Sequence, residues 1–259
     1  MVPEELAAPL AGLHCSRPDV RLDVRWFSSV TSTMDVALDL VEQGARHGLV
    51  VGADEQSAGR GRRGHAWQSP PGAGLYFSIV VRPVVAAASA VSLLTLAAGV
   101  GVRRGIQSST GFAPDLKWPN DMVAGRRKLA GILAEGVGIG TPDPVVIVGV
   151  GVNVQPGTYP PDVSARATSL EGELGRAVDR GVVLASLLLG LWDAFAALER
   201  DPNGILHEWR AASPWANGTR VEWDTKHGIT AGIDDTGALL VRTTSGTERV
   251  IAGELRWTL

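Results

Sequence analysis

The chain has 259 residues, 45% of them hydrophobic and 20% charged, and carries a formal net charge of -3. That is enough for one large soluble domain, or a medium domain with a small one, and it excludes a chain that binds nucleic acid through overall positive charge. Its one cysteine, Cys15, excludes an intrachain disulfide, and five scattered histidines give no zinc spacing. These features, with no basic segment and apolar core at the N-terminus, fit a reducing, cytoplasmic setting.

Residues 1–20, rich in Ala, Pro and Leu, are expected to pack loosely or fray. "RLDVRWFSSV" alternates and predicts a strand. "STMDVALDLVEQG" predicts a helix, with Ser32 and Asp35 at capping-box spacing and Gly44 to end it. "GLVVGADEQ" predicts a buried strand. After a glycine- and arginine-rich loop, "GLYFSIVVRP" is a strand that stops at Pro83. Residues 86–107 predict a long small-residue helix. "DLKWPNDMV", a turn at "AGRR" and "KLAGILAEGV" predict an antiparallel hairpin with Lys128 at the start of its second strand. "PVVIVGVGVNV" is another strand, and Gly149 and Gly151 imply that something approaches its backbone closely. Residues 180–200 predict a second long helix, followed by a short one at "GILHEWRAAS". Ser, Thr, Gly and Asp interrupt the two long apolar runs, which lack flanking membrane anchors. They read as buried helices rather than spans. From Trp215 onward, short strands with Gly and Asp turns predict a small β-barrel. The expected division is a catalytic domain over 1–214 and a barrel over 215–259.

The loop "GRGRRGHAWQSP" puts three arginines and a histidine within seven residues. Its G-x-G-x-x-G is no dinucleotide fingerprint, because "HAWQSPPGAG" cannot open a helix after Gly64. Nor is there a Walker pattern or a G-x-S-x-G nucleophile elbow. Two readings remain: a basic surface loop that touches nucleic acid nonspecifically, or a loop that folds over a small anionic ligand. Its place between two core strands, with Gln56 before it and Trp67 after it, favours the second. A further constellation, "KWPNDMVAGRRKLAGIL", holds two lysines, Lys117 and Lys128, with Asp121 between them. Lys128 is either an ordinary surface lysine or, because it directly precedes an apolar run expected to be buried, one whose ammonium points into a cleft. Asp121 is either a turn aspartate or a magnesium ligand.

Taken in order and spacing, "STM", "EQSAGRGRRGHAW", "KWPND", "KLAGIL" and "GVGVNV" resemble the biotin–protein ligase family over about residues 25–155. The β-rich tail is similar to that family's small C-terminal domain. The resemblance implies an α+β fold: a mixed-sheet catalytic domain of the class II synthetase-like, biotin-ligase type, then an SH3-like β-barrel. It implies ATP and biotin as substrates with Mg2+, and biotinyl-5′-AMP as intermediate. The acceptor would be a lysine on a biotin carboxyl carrier protein or domain. Family repressors carry an extra N-terminal winged helix-turn-helix. Here the motifs begin near residue 28, so the ligase-only form is expected.

Carried over by resemblance, Ser32, Thr33 and Gln56 would bind the ureido end of biotin. Gly59, Arg60, Arg62 and Arg63 would form the loop over biotin and the adenylate. Trp67 would stack on adenine or wall its pocket. Lys117 would meet ATP phosphates. Lys128 would contact the biotin carboxylate or α-phosphate and be the most important residue. Gly131 would give room for biotin, Asn120 and Asn153 would serve the nucleotide, and Asp121 would hold magnesium. Met34 departs from the family's asparagine in "STN". The alternative is a lipoate- or octanoate–protein ligase or transferase of the same fold.

Overall fold

The computed structural model describes residues 2–83, 89–157, 159–251, 253 and 255–258. The N-terminal segment, expected to be loose, is instead a helix, α1 (Glu4–Ser16). Leu6, Leu10 and Leu13 recur at helical spacing on its buried face, so the apolar composition of this stretch comes from docking. Next come β1 (Asp23–Phe27), α2 (Thr33–Glu42) and β2 (Leu49–Ala53). Ser32 is the N-cap of α2, but its hydroxyl accepts from Met34 N at 3.2 Å, and the Asp35 carboxylate turns away to Arg60. The expected capping box is therefore half formed.

β3 (Gly74–Val81), α3 (Ala90–Thr110), β4 (Asp115–Lys117), β5 (Asp121–Ala124), β6 (Arg127–Val137) and β7 (Val145–Asn153) follow. The helix expected over 86–107 runs three residues further and ends at Gly111, whose φ of 80° closes it. The predicted start at 86–88 lies outside the described residues. "DLKWPNDMV" is two short strands, β4 and β5, folded back on each other around Trp118–Asn120.

These strands form one seven-stranded sheet in the order β1-β2-β3-β7-β6-β5-β4. The β1–β2 pair is parallel and the remaining pairs antiparallel. Every residue of β3 and β7 is buried, as a central strand covered on both faces requires. Alternation sorts the two faces. Phe77, Ile79, Val148 and Val150 join the large core beneath α1, α3 and α6 (Arg180–Arg200). Val51, Val80 and Ile147 pack with Met34 and Ala37 of α2 on the other. α6 is long and apolar enough to cross a membrane, but half of its apolar window is buried inside the fold. It packs on α3 at backbone contact, since a Cβ at Gly190 would lie 2.2 Å from Gly101 O.

Two short helices, α4 (Pro161–Ser164) and α5 (Leu170–Leu174), follow the sheet, and α7 (Pro202–Ala211) follows α6. The chain then forms β8 (Asn217–Trp223), β9 (Lys226–Ile233), β10 (Leu239–Thr243), β11 (Gly246–Val250) and β12 (Arg256–Thr258). They pair in the order β11-β10-β9-β8-β12. Among the described residues the two outer strands do not pair with each other, so the expected closed barrel is an open antiparallel sheet. The Trp118 indole N–H donates to Gly237 O at 3.0 Å and links the two sheets.

Candidate active site

The face of β7 that buries Ile147 under α2 continues through Gly149, Gly151 and Asn153. The glycines remove side chains where α2 no longer covers the sheet. Gly151 stands directly opposite Gly131 of β6, so the two strands offer bare backbone. A cavity of about 500 Å³ opens there, within the range of small-molecule sites.

One end is polar and neutral. Gln56 Oε1 accepts from Thr33 N at 2.9 Å and Thr33 Oγ1 at 3.2 Å. Thr33 Oγ1 also lies 2.8 Å from Ser78 Oγ, and Gln56 Nε2 donates to Ser69 Oγ at 2.8 Å. Thr33, Ser69 and Ser78 are all buried, which holds donors and acceptors at fixed positions. Met34, at the odd position in "STM", lines the cavity and fills the space over Gly149 with its thioether. Its buried side chain serves packing.

The other end is cationic. Lys128 Nζ lies 2.6 Å from Asp121 Oδ1, off the hydrogen-bonding direction, and 5.3 Å from the Trp67 ring centre. Lys117 Nζ stands 5.4 Å from the Trp257 ring. Burial lowers the Lys117 pKa, repulsion from Lys128 adds to this, and Asp121 opposes it. Arg62 donates to Asn120 Oδ1 at 3.4 Å. Its pKa too is lowered by burial and by Arg63, against Asp121. Asn120 is braced by Ile132 through Nδ2 to O at 2.7 Å and N to the Asn120 carbonyl at 2.9 Å.

The glycine–arginine loop is a small hairpin. Gly61 N donates to His65 O at 2.7 Å, and Trp67 N to Gly59 O at 2.8 Å. Arg63 takes a left-handed φ of 55° at its tip. The loop delivers Trp67 onto the bare backbone: a Cβ at Gly151 would meet the indole at 2.4 Å and one at Gly131 at 2.8 Å. This is the close approach that Gly149 and Gly151 implied. The Trp67 Nε1 is buried without a hydrogen-bond partner, a cost of about 1–3 kcal/mol that an acceptor on a ligand would relieve.

Thr33, Gln56, Arg60, Arg62, Arg63 and Trp67 all line the cavity, as do Lys117, Asn120, Asp121, Lys128, Gly131 and Asn153. Ser32 and Gly59 are not part of its lining. Ser32 is a buried helix cap. Gly59 has no room for a side chain, since a Cβ would sit 2.4 Å from Trp67 O. Arg60 pairs with Asp35 at 2.7 Å and Glu135 at 2.5 Å, so its guanidinium ties the loop to α2 and β6. Asn153 Nδ2 donates to Thr168 O at 2.9 Å, and the segment 166–168 runs beside Lys128 through Lys128 N to Arg166 O at 2.7 Å. Sequence reasoning gave no role to Ser69, although it lies in the glycine–arginine loop motif, and it missed Ser78, Tyr159, Arg166 and Trp257, which carry no local motif. Their only signal is proximity in the fold.

Among the described residues no three His, Cys, Asp or Glu side chains come together to hold a metal. Asp121 is the one carboxylate among the described lining residues. That fits a magnesium ion held by one carboxylate with substrate phosphates completing its shell.

Residues 26–153 match the biotin/lipoate A/B protein ligase family, and residues 217–255 the biotin protein ligase C-terminal domain. The bifunctional ligase/repressor BirA of Bacillus subtilis is 34% identical over 236 residues, covering 87% of this chain and 71% of that protein. The biotin–[acetyl-CoA-carboxylase] ligase of Mycobacterium tuberculosis is 35% identical over 243 residues, covering 89% and 88%. A biotin protein ligase from Aquifex aeolicus, solved with biotin and ATP, superposes with a TM-score of 0.78 at 27% identity, over 91% of this chain and 98% of that one. The chain belongs to the biotin/lipoate A/B protein ligase family, on its biotin protein ligase branch.

Proposed function

We propose that the chain activates biotin with ATP to biotinyl-5′-AMP and transfers biotin to a lysine of a biotin carboxyl carrier domain, releasing AMP. The observation that carries this is the polarity of one cavity. Thr33 and Gln56, joined by hydrogen bonds and backed by the buried Ser78, face one end, and Lys117, Lys128 and Arg62 face the other. A ureido group suits the first, and a carboxylate meeting a triphosphate suits the second.

In the first step a carboxylate oxygen of biotin bonds to the α-phosphorus and pyrophosphate leaves with the electrons of the broken P–O bond. Both reactants are anions. Lys128 and Arg62 offset that repulsion and hold the charge that grows on the phosphoryl oxygens. Lys117 holds the outgoing phosphates, and Trp67 walls the ligand from water. In the second step a neutral lysine amine of the acceptor attacks the acyl carbon, an amide forms, the acyl–phosphate bond breaks and the amine proton is lost. No protein nucleophile is required, so the remaining contribution is positioning. Magnesium, held by Asp121, would neutralise phosphate charge.

Gln56, Arg63, Asn120, Gly131 and Asn153 belong to the same proposed site by their place in its lining. Residues 1–214 would form the catalytic unit and 215–259 the smaller one, in keeping with the two sheets. Ligase action without repression is part of this reading, and the free, exposed Cys15 fits a cytoplasmic setting. The test is intact mass analysis of an unmodified carrier domain incubated with the protein, biotin and ATP. One added biotin, absent when the acceptor lysine is replaced by Arg, is expected. A carrier domain left unmodified beside an active control ligase would overturn the reading.

A further inference from the structure

Lys117 and Lys128 face one cavity but are held differently. Lys128 has the carboxylate of Asp121 at 2.6 Å. Lys117 makes no ion pair among the described residues. Asp121 is its cross-strand neighbour, and the Trp257 ring lies 5.4 Å from its ammonium. Trp257 belongs to β12, the outer strand of the C-terminal sheet, and lines the cavity with Gly253 and Leu255. The backbone around Lys117 is fastened to the same side of the molecule. Leu116 N donates to Ala212 O at 2.8 Å, and the buried Trp118 indole donates to Gly237 O at 3.0 Å. Leu116 and Trp118 point into the core, and the strand alternation leaves Lys117 facing the cavity. A partly desolvated ammonium over an indole face is attracted by the ring quadrupole, most strongly by tryptophan.

We propose that Trp257 is a positioning residue for adenylate formation: its ring holds the Lys117 ammonium in the phosphate end of the cavity, so the C-terminal sheet completes the ATP site. This rests on the reading of the cavity as an ATP- and biotin-binding site. An aromatic face also suits the position better than a carboxylate. Asp or Glu there would neutralise Lys117 and repel the triphosphate, whereas a ring orients the cation and leaves its charge for the phosphates.

The test uses the full chain with Trp257→Ala, Trp257→Phe and Trp257→Leu, alone and with Lys117→Met. Biotin-dependent ATP–pyrophosphate exchange gives KM for ATP, KM for biotin and kcat. Equilibrium titration with ATP alone gives binding without turnover. Trp257→Ala is expected to raise KM and Kd for ATP about tenfold, or about 1.4 kcal/mol, and to leave KM for biotin within about twofold. Phe, which keeps a weaker π-face, should recover most of the loss, and Leu, which keeps only bulk, should not. In the Lys117→Met background Trp257→Ala should add nothing, because the cation it holds is gone. Equal rescue by Leu and Phe would overturn the proposal, as would full additivity with Lys117→Met or an unchanged ATP affinity in Trp257→Ala. If wild-type protein binds ATP but shows no biotin-dependent exchange, the functional reading fails, while the ATP titrations still decide the role of Trp257.

Discussion

At the scale of single residues, the arginines of one loop divide their work. Arg60 is engaged by Asp35 and Glu135, whereas Arg62 lies inside the cavity near Asn120. The sequence presents both as equivalent cations in "GRGRRG". Only the fold, by bringing α2 and β6 beside the loop, separates an anchor from a guanidinium left in the cavity. Replacing Glu135 with Gln, alone and with Asp35→Asn, should loosen the hairpin. Cleavage of the loop by trypsin should accelerate and biotinyl-AMP should escape faster into solution. Unchanged cleavage in the double variant would show that the backbone bonds of the hairpin suffice. Lys128 stands between Asp121 and the Trp67 ring at the cationic end. Lys128→Ala should lower kcat for adenylate formation by about 100-fold or more, the scale for losing one preorganised charge at a transition state. Circular dichroism should stay native, since its side chain is partly exposed. Turnover within a few-fold of wild type would remove it from the chemistry.

Among the elements, β6 and β7 set the floor of the site through a glycine pair at one register position, Gly131 opposite Gly151. Alternation in "VVIVGVGVNV" already said that Gly149, Gly151 and Asn153 share a face and that something comes close to it. What it could not say is which group comes close. Those groups are Met34 over Gly149 and Trp67 over Gly151, both distant in sequence. Gly151→Ala would place a methyl 2.4 Å from the Trp67 indole. Overpacking of this kind costs about 1–3 kcal/mol. We expect a lowered Tm, a raised KM for biotin and a shift in tryptophan emission as Trp67 is displaced. A variant with wild-type KM and emission would show that Trp67 does not rest on this floor. α1 was misread for a related reason: its leucines look like those of a frayed tail until the surface that receives them is in place.

Across the whole molecule, the order of strands and helices was largely legible, because β3, β7 and α6 are long and rich in apolar residues. The cationic and polar ends of the site were legible as motifs, because each motif is contiguous. The contribution of the C-terminal sheet was not. Trp118 and Trp257 reach across from separate sheets, and their meeting depends on a docking that no local pattern encodes. The consequence is one cavity to which both sheets contribute, with its lysines gathered at one end. ATP–pyrophosphate exchange tests that claim most directly, run on the purified protein with biotin, with lipoate, with octanoate and with no acid. The account predicts exchange with biotin alone. Exchange with lipoate or octanoate in place of biotin would contradict the assignment of the Thr33–Gln56 end to a ureido group, and exchange with none of them would contradict the reading of the cavity as an adenylation site.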